Sequence, residues 1–306
     1  MQTSAVQTWR DIYFSARDGL RLYARHYPAP GSTRRPVLCL AGLGRNSRDF
    51  HRLATALASG REAREVYTLD SRGRGLSERD GNWKNYSLLV EANDALDFLT
   101  MRDLHCMAII GTSRGGVLTM LMAVLRPGAI AAAVLNDIGP VIEREGLARI
   151  MAYIGRLPVP ADWEDAERVV YEMHKRHFPA VPPEEWAEQA RAWFNDDGGL
   201  PALGYDPNIA KSFSSADGPI PELWPQLGAL AAVPVLAIRG EHSDILSAKT
   251  LEEMRSRHPQ LDTFVVRGQG HAPLLRDGPT ISAIQAFLRR SDSQAPTAGA
   301  PVAVAS

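Results

Sequence analysis

The chain has 306 residues, 45% of them hydrophobic and 23% charged, with a net charge of −1. That length buries a large core, as one domain with a sizeable insertion or as two domains, in a composition typical of globular proteins. Balanced charge leaves no electrostatic footprint for nucleic acid or an anionic membrane, and no apolar run approaches the ~20 residues of a membrane span.

The N-terminal stretch has no basic segment followed by an apolar one, so no secretory leader is expected. Residues 11–27 predict a hairpin: Ile12 to Phe14, a turn at Asp18-Gly19, then Leu20 to Tyr27 in partial alternation. After a turn-rich break, Val37-Leu38-Cys39-Leu40 is a short continuous apolar run, the mark of a strand covered on both faces. It ends in Ala41-Gly42-Leu43-Gly44, and a helix is expected from about Arg48 to Ser59. Val66 to Leu69 reads as the next strand, closing in Asp70-Ser71-Arg72-Gly73-Arg74-Gly75-Leu76-Ser77. Leu88 to Met101 carries helical spacing. The strand Cys106 to Ile110 then runs into Gly111-Thr112-Ser113-Arg114-Gly115 and an apolar helix from Val117. A further strand, Ala129 to Leu135, ends in Asn136-Asp137-Ile138-Gly139-Pro140. Cys39 and Cys106 lie in apolar runs and read as buried free thiols, which suits a reducing, cytoplasmic setting.

From Val141 the rhythm changes. Three helical stretches (Ile142 to Ile154, Trp163 to His177, Glu184 to Phe194) are joined by loops rich in Pro and Gly. The α/β alternation resumes with strand Val233 to Ile238, helix Ala248 to Arg257, strand Asp262 to Val266 and helix Thr280 to Leu288. The expected architecture is therefore α/β, a doubly wound, mostly parallel sheet with an inserted all-helical cap. Residues 1–140 and 231–290 form its core, 141–230 the cap, and 291–306 a small, polar, Pro-containing tail read as disordered.

Strand, Gly-x-Ser-x-Gly and helix in immediate succession are the order of a nucleophile elbow, which makes Ser113 the candidate nucleophile. A serine hydroxyl needs a base, itself oriented by an acid. His271 is the base candidate, because it sits in the glycine-rich Gly268-Gln269-Gly270-His271 loop beyond the last strand. Two carboxylates reach the same edge in the order Ser…Asp…His. The first choice is Asp244, after the strand before the last. The alternative is Asp137, otherwise a residue capping the turn into the cap, and Glu241 is a third candidate.

Taken together, Ala41-Gly42-Leu43-Gly44, the Asp70–Ser77 turn, Gly-Thr-Ser-Arg-Gly-Gly, Gly-Glu-His-Ser-Asp and Gly-Gln-Gly-His-Ala-Pro resemble the α/β-hydrolase superfamily over nearly the whole chain. The resemblance implies an acid after the seventh strand, which favours Asp244. It also implies an oxyanion hole from the backbone N–H groups of Leu43 and Arg114. The family's usual His-Gly is Ala41-Gly42 here. Serine at the elbow argues against dehalogenase and epoxide-hydrolase relatives, which attack with aspartate.

The expected activity is hydrolysis of a small or medium carboxylic ester, lactone or thioester through an acyl-enzyme. Alternatives are a C–C hydrolase of a diketo or dienoic acid, a haloperoxidase- or acyltransferase-like relative, and a ligand receptor on the same fold. No cofactor or metal is called for; the partner is a small molecule, and a monomer or homodimer is expected. Gly42, Arg45, Trp163 and Trp193 are the candidate pocket residues. Arg45 and Arg114 could face a substrate carboxylate or pair with a neighbouring acid. Arg72 and Arg74 read as braces of their turn. His174 and His177, three apart on a helix, read as an exposed face.

Overall fold

The structure, a computed structural model, describes residues 8–214 and 221–293. Eight strands form one sheet in the order β1-β2-β4-β3-β5-β6-β9-β10. They are β1 (Arg10–Ser15), β2 (Arg21–Tyr27), β3 (Val37–Leu40), β4 (Val66–Asp70), β5 (Met107–Thr112), β6 (Ile130–Asn136), β9 (Val235–Gly240) and β10 (Leu261–Val266). The expected hairpin is present, with β1 antiparallel to β2 and β2 antiparallel to β4. Every other neighbour pair is parallel.

The continuous apolar runs of β3, β4 and β6 are buried at every position because helices cover both faces. Period-two alternation sends Leu38 and Leu40 to one face and Val37 and Cys39 to the other. The first face packs against α2 (Leu88–Met101), α3 (Arg114–Leu125) and α9 (Ala248–Arg257), the second against α1 (His51–Leu57) and α10 (Gly278–Asp292). Among the described residues no helix is long and apolar enough to cross a membrane.

Between β6 and β9 lie α4 (Arg144–Tyr153), α5 (Trp163–His174), α6 (Glu185–Trp193), α7 (Lys211–Ser214) and α8 (Trp224–Gly228). The segment is not all helical. A hairpin of β7 (Asn195–Asp197) and β8 (Leu200–Ala202) closes on Gly198-Gly199, both at positive φ (+61° and +92°). Such a two-residue turn favours glycine at both places, so the signal was in the loop's own sequence. Ala166 and Val170 of α5, Phe178, Trp186 and Ala190 of α6, and Phe194 give this segment a core of its own.

Two expectations change at the periphery. Ser291 and Asp292 belong to α10, where Asp292 accepts from Arg64 at 3.0 Å; the residues after Ser293 assigned to the tail lie outside the described residues. Cys39 is buried, with its thiol pKa pushed up by burial, but Cys106 is exposed, in the bend just before β5 (φ +50°).

Candidate active site

β5 ends at Thr112, α3 starts at Arg114, and Ser113 between them has φ +51°, a left-handed conformation that costs a non-glycine residue about 1–3 kcal/mol. The surrounding structure enforces it. A Cβ at Gly115 would stand 2.0 Å from the Leu40 carbonyl oxygen, and one at Gly111 2.4 Å from that of Gly115. The Ser113 N–H donates to Asn136 O at 2.9 Å, tying the elbow to the end of β6.

Ser113 Oγ lies 2.8 Å from His271 Nε2, and His271 Nδ1 lies 2.8 Å from Asp137 Oδ2. A carboxylate only accepts, so Nδ1 carries the proton and Nε2 is left to accept from the serine. Asp137 is fully buried. It also takes 2.6 Å and 2.7 Å bonds from Ser243 Oγ–H and the Gly240 N–H. Its φ of +56° turns the carboxylate from the end of β6 toward this cluster.

This geometry corrects the first choice of acid. Asp244 does not meet His271; it accepts from Arg149 Nε at 2.6 Å and Nη2 at 2.8 Å. Burial opposes the Asp244 charge, but Arg149's bonds and positive charge outweigh it and hold its pKa below the usual carboxylate range. The reason is local. Ser243 N–H closes a turn onto Gly240 O (3.0 Å), and the Ser243 hydroxyl accepts from Ile245 N–H and Leu246 N–H while donating to Asp137. The loop's inward position therefore belongs to Ser243, and Asp244 falls one residue beyond it. Glu241 accepts from the Gly268 N–H, also away from His271.

The site opens into a cavity of about 110 Å³ between the strand ends and the inserted helices. Gly42, Leu43, Arg45 and Trp193 line it with Ser113 and His271. A Cβ on Gly42 would sit 3.7 Å from that of Ser113, so this turn passes directly beside the nucleophile. The Leu43 carbonyl accepts from Arg74 Nε at 2.9 Å, bracing the turn. Arg114 begins α3 immediately after Ser113, and its side chain turns away to Glu91 (2.8 and 2.9 Å). Trp163 is not brought to the cavity: its Nε1–H donates to Gly199 O and Arg191 stacks on its ring. Arg45 lies on the Trp193 ring, pairs with Asp49 (Nε to Oδ2, 2.7 Å) and donates to Gln189 Oε1 at 3.2 Å.

Asp49, Tyr153, His174 and Gln189 line the cavity without having been named for it. His174 departs most from expectation, being packed inside against Phe178, Trp186 and Trp193. Its Nδ1 is engaged with Val170 O at 2.8 Å, and no cluster that could hold a metal includes it among the described residues. The available signal was the amphipathic spacing of Trp163, Trp186, Trp193 and Phe194, all of which belong to or pack on the core of this segment. Arg72 meets Asp18, Asp80 and Asp94, and Arg74 meets Glu91, in buried networks beneath the site.

Comparison with known proteins agrees with the fold. Residues 37–283 match the alpha/beta hydrolase family. The 3-hydroxybutyrate-oligomer hydrolase of Cupriavidus necator is 30% identical over 281 residues, covering 88% of this chain and 93% of that protein. The 2-(acetamidomethylene)succinate hydrolase of Mesorhizobium japonicum is 27% identical, covering 77% and 81%. A crystal structure of an alpha/beta hydrolase from Novosphingobium aromaticivorans superposes with a TM-score of 0.86 at 38% identity, over 94% of this chain and all of that one. With the strand–serine–helix elbow and the sheet order, these matches show that the chain belongs to the alpha/beta hydrolase family and is a hydrolase.

Proposed function

We propose that the protein hydrolyses a short carboxylic ester through an acyl-enzyme, with Ser113, His271 and Asp137 as its triad and residues 141–230 as a cap over the site. The observation that carries this reading is the unbroken chain from Ser113 Oγ through His271 to buried Asp137, opening on a small, mostly apolar cavity. Its volume is of the order of the ~150 Å³ apolar cavity that admits benzene, which suits a short acyl group and not an extended polymer.

In this mechanism Ser113 Oγ attacks the ester carbonyl carbon as its proton passes to His271 Nε2. Asp137 holds the imidazole tautomer and offsets the imidazolium charge. The Leu43 and Arg114 N–H groups receive the tetrahedral oxyanion, each worth roughly 3 kcal/mol to the barrier. Collapse breaks the bond to the alkoxy oxygen, which leaves as alcohol with the proton from His271. Water then gives a proton to His271 and its oxygen to the acyl carbon. The second collapse releases the acid and returns the proton to Ser113.

The similarity to a 3-hydroxybutyrate-oligomer hydrolase supports ester chemistry. The C–C hydrolase alternative requires a positive group for the substrate carboxylate. Arg45, Arg114 and Arg149 are each ion-paired with an acid, Asp49, Glu91 and Asp244 respectively. Free thiols at Cys39 and Cys106 suit a cytoplasmic setting.

Turnover of p-nitrophenyl acetate, butyrate and octanoate by wild type and by Ser113→Ala tests the reading. Activity that falls from butyrate to octanoate and vanishes in Ser113→Ala is the expected result. An inert wild type, or an active Ser113→Ala, would overturn it.

A further inference from the structure

The cavity carries one polar group that the ester mechanism does not use. His174 belongs to α5, in the inserted segment, and its ring is wedged among Phe178, Trp186 and Trp193, 4.8 Å centroid to centroid from the last. Its Nδ1 faces the Val170 carbonyl at 2.8 Å, and a carbonyl can only accept. Nδ1 must therefore hold the hydrogen, and Nε2 presents a bare lone pair. Nε2 has no partner among the described residues, and His174 is one of the residues that line the cavity. The imidazole stays neutral there: burial first, and then the charges of Arg45 and Arg149, push its pKa down to about 3. The result is a permanent acceptor in an apolar aromatic wall.

Two other side-chain acceptors that line the cavity are already engaged. Asp49 and Gln189 Oε1 both take hydrogen bonds from Arg45. Tyr205 Oη accepts from the Gly155 N–H, and tyrosine hydroxyls can also donate, so neither Tyr153 nor Tyr205 selects for a donor. A bare acceptor beside aromatic rings disfavours an all-carbon chain and welcomes a hydroxyl.

We propose that His174 is the specificity-determining residue of this site, accepting a hydrogen bond through Nε2 from a hydroxyl borne by the ester substrate. The inference rests on the ester-hydrolase reading and adds the feature that selects among esters. It names a hydroxyl-bearing ester, with the hydroxyl on the acyl side or on the alcohol side.

The test compares kcat/KM for matched pairs. On the acyl side these are the p-nitrophenyl esters of 3-hydroxybutyrate, butyrate and 3-fluorobutyrate, the last similar in size but unable to donate. On the alcohol side they are 2-hydroxyethyl butyrate and propyl butyrate. Wild type should prefer the hydroxyl-bearing member on one side by about tenfold or more. On the acyl side the fluoro ester should behave like the plain one. His174→Phe, which keeps a ring of similar size and removes the nitrogen, should bring the ratio toward one. A wild-type ratio near one on both sides overturns the proposal even if His174→Phe fails to fold, as does a ratio unchanged in a folded His174→Phe. A wild type that cleaves esters but makes no distinction within either set defeats only this inference. One that cleaves no ester defeats the proposed function, and this inference with it.

Discussion

The carboxyl edge of the sheet and the inserted segment build the same cavity by different means. At the sheet edge, backbone does the positioning. Ser113 and Asp137 are both held at positive φ, glycines pass within contact distance of the elbow, and Asp137 accepts three hydrogen bonds, one of them from a main-chain N–H. In the inserted segment, side chains do it. His174 and Trp193 are placed by ring contacts, and α6 is tied to the sheet side by Arg45–Gln189 and by Arg52 and Arg276 to Glu188. On the proposed function, reaction geometry is thus assigned to the part that tolerates least displacement. On the same proposal, substrate selection falls to the part whose side chains can be exchanged without disturbing the sheet.

Changes at the sheet edge should cost the most. Ser113→Ala should lower kcat on p-nitrophenyl butyrate by roughly 10⁶-fold with an unchanged unfolding midpoint, and residual turnover near wild type would remove the nucleophile from the scheme. Asp137→Asn should lower kcat by about 10⁴-fold through loss of the correct imidazole tautomer. Asp244→Asn should change kcat by less than about tenfold, since it only loosens a partly exposed pair with Arg149. The opposite ranking of these two aspartates would return the acid to Asp244.

Beneath the edge, Glu91 is fully buried between Arg74 and Arg114. Burial opposes its charge, but the two guanidinium groups win and hold its pKa below the usual range. Glu91→Gln should destabilise by about 3–5 kcal/mol at neutral pH, lowering the midpoint by roughly 10 °C. A depressed folded pKa contributes stability that is complete above the unfolded value of about 4.5 and lost as pH falls through the folded one. The gap between Glu91→Gln and wild type should therefore narrow below about pH 4. A gap that stays constant in thermal unfolding at pH 7 and pH 3.5 would contradict the buried ionised state.

The smallest expected effect belongs to the inserted segment. Between pH 6.5 and about 3 the unfolded chain binds a proton at His174 that the folded chain refuses, so stability drops as pH falls through this window. The midpoint of His174→Phe should fall less than that of wild type between pH 7 and pH 5. Parallel losses would show that the imidazole takes its proton in place.

The comparison also marks the limit of sequence reading. Glycine spacing and apolar runs sufficed for the sheet, the elbow and the His271 loop, because these are set by backbone rules acting over a few residues. Asp137 and Asp244 could not be separated in that way. Both follow strands that end at the same edge, and the difference is a turn in which Ser243 takes the inward position. For His174 the local pattern pointed the wrong way, since a histidine three residues from another on a polar helix looks solvent-facing. Its packing depends on Phe178, four residues on, and above all on Trp186 and Trp193 of α6 closing around it.

Local sequence thus determined the alternation of strands and helices and the candidate nucleophile and base. Tertiary structure alone decided which carboxylate meets the histidine and which side chains wall the cavity. Elements form from near neighbours along the chain, whereas a hydrogen bond between residues 134 positions apart forms only where the folded sheet brings their loops together.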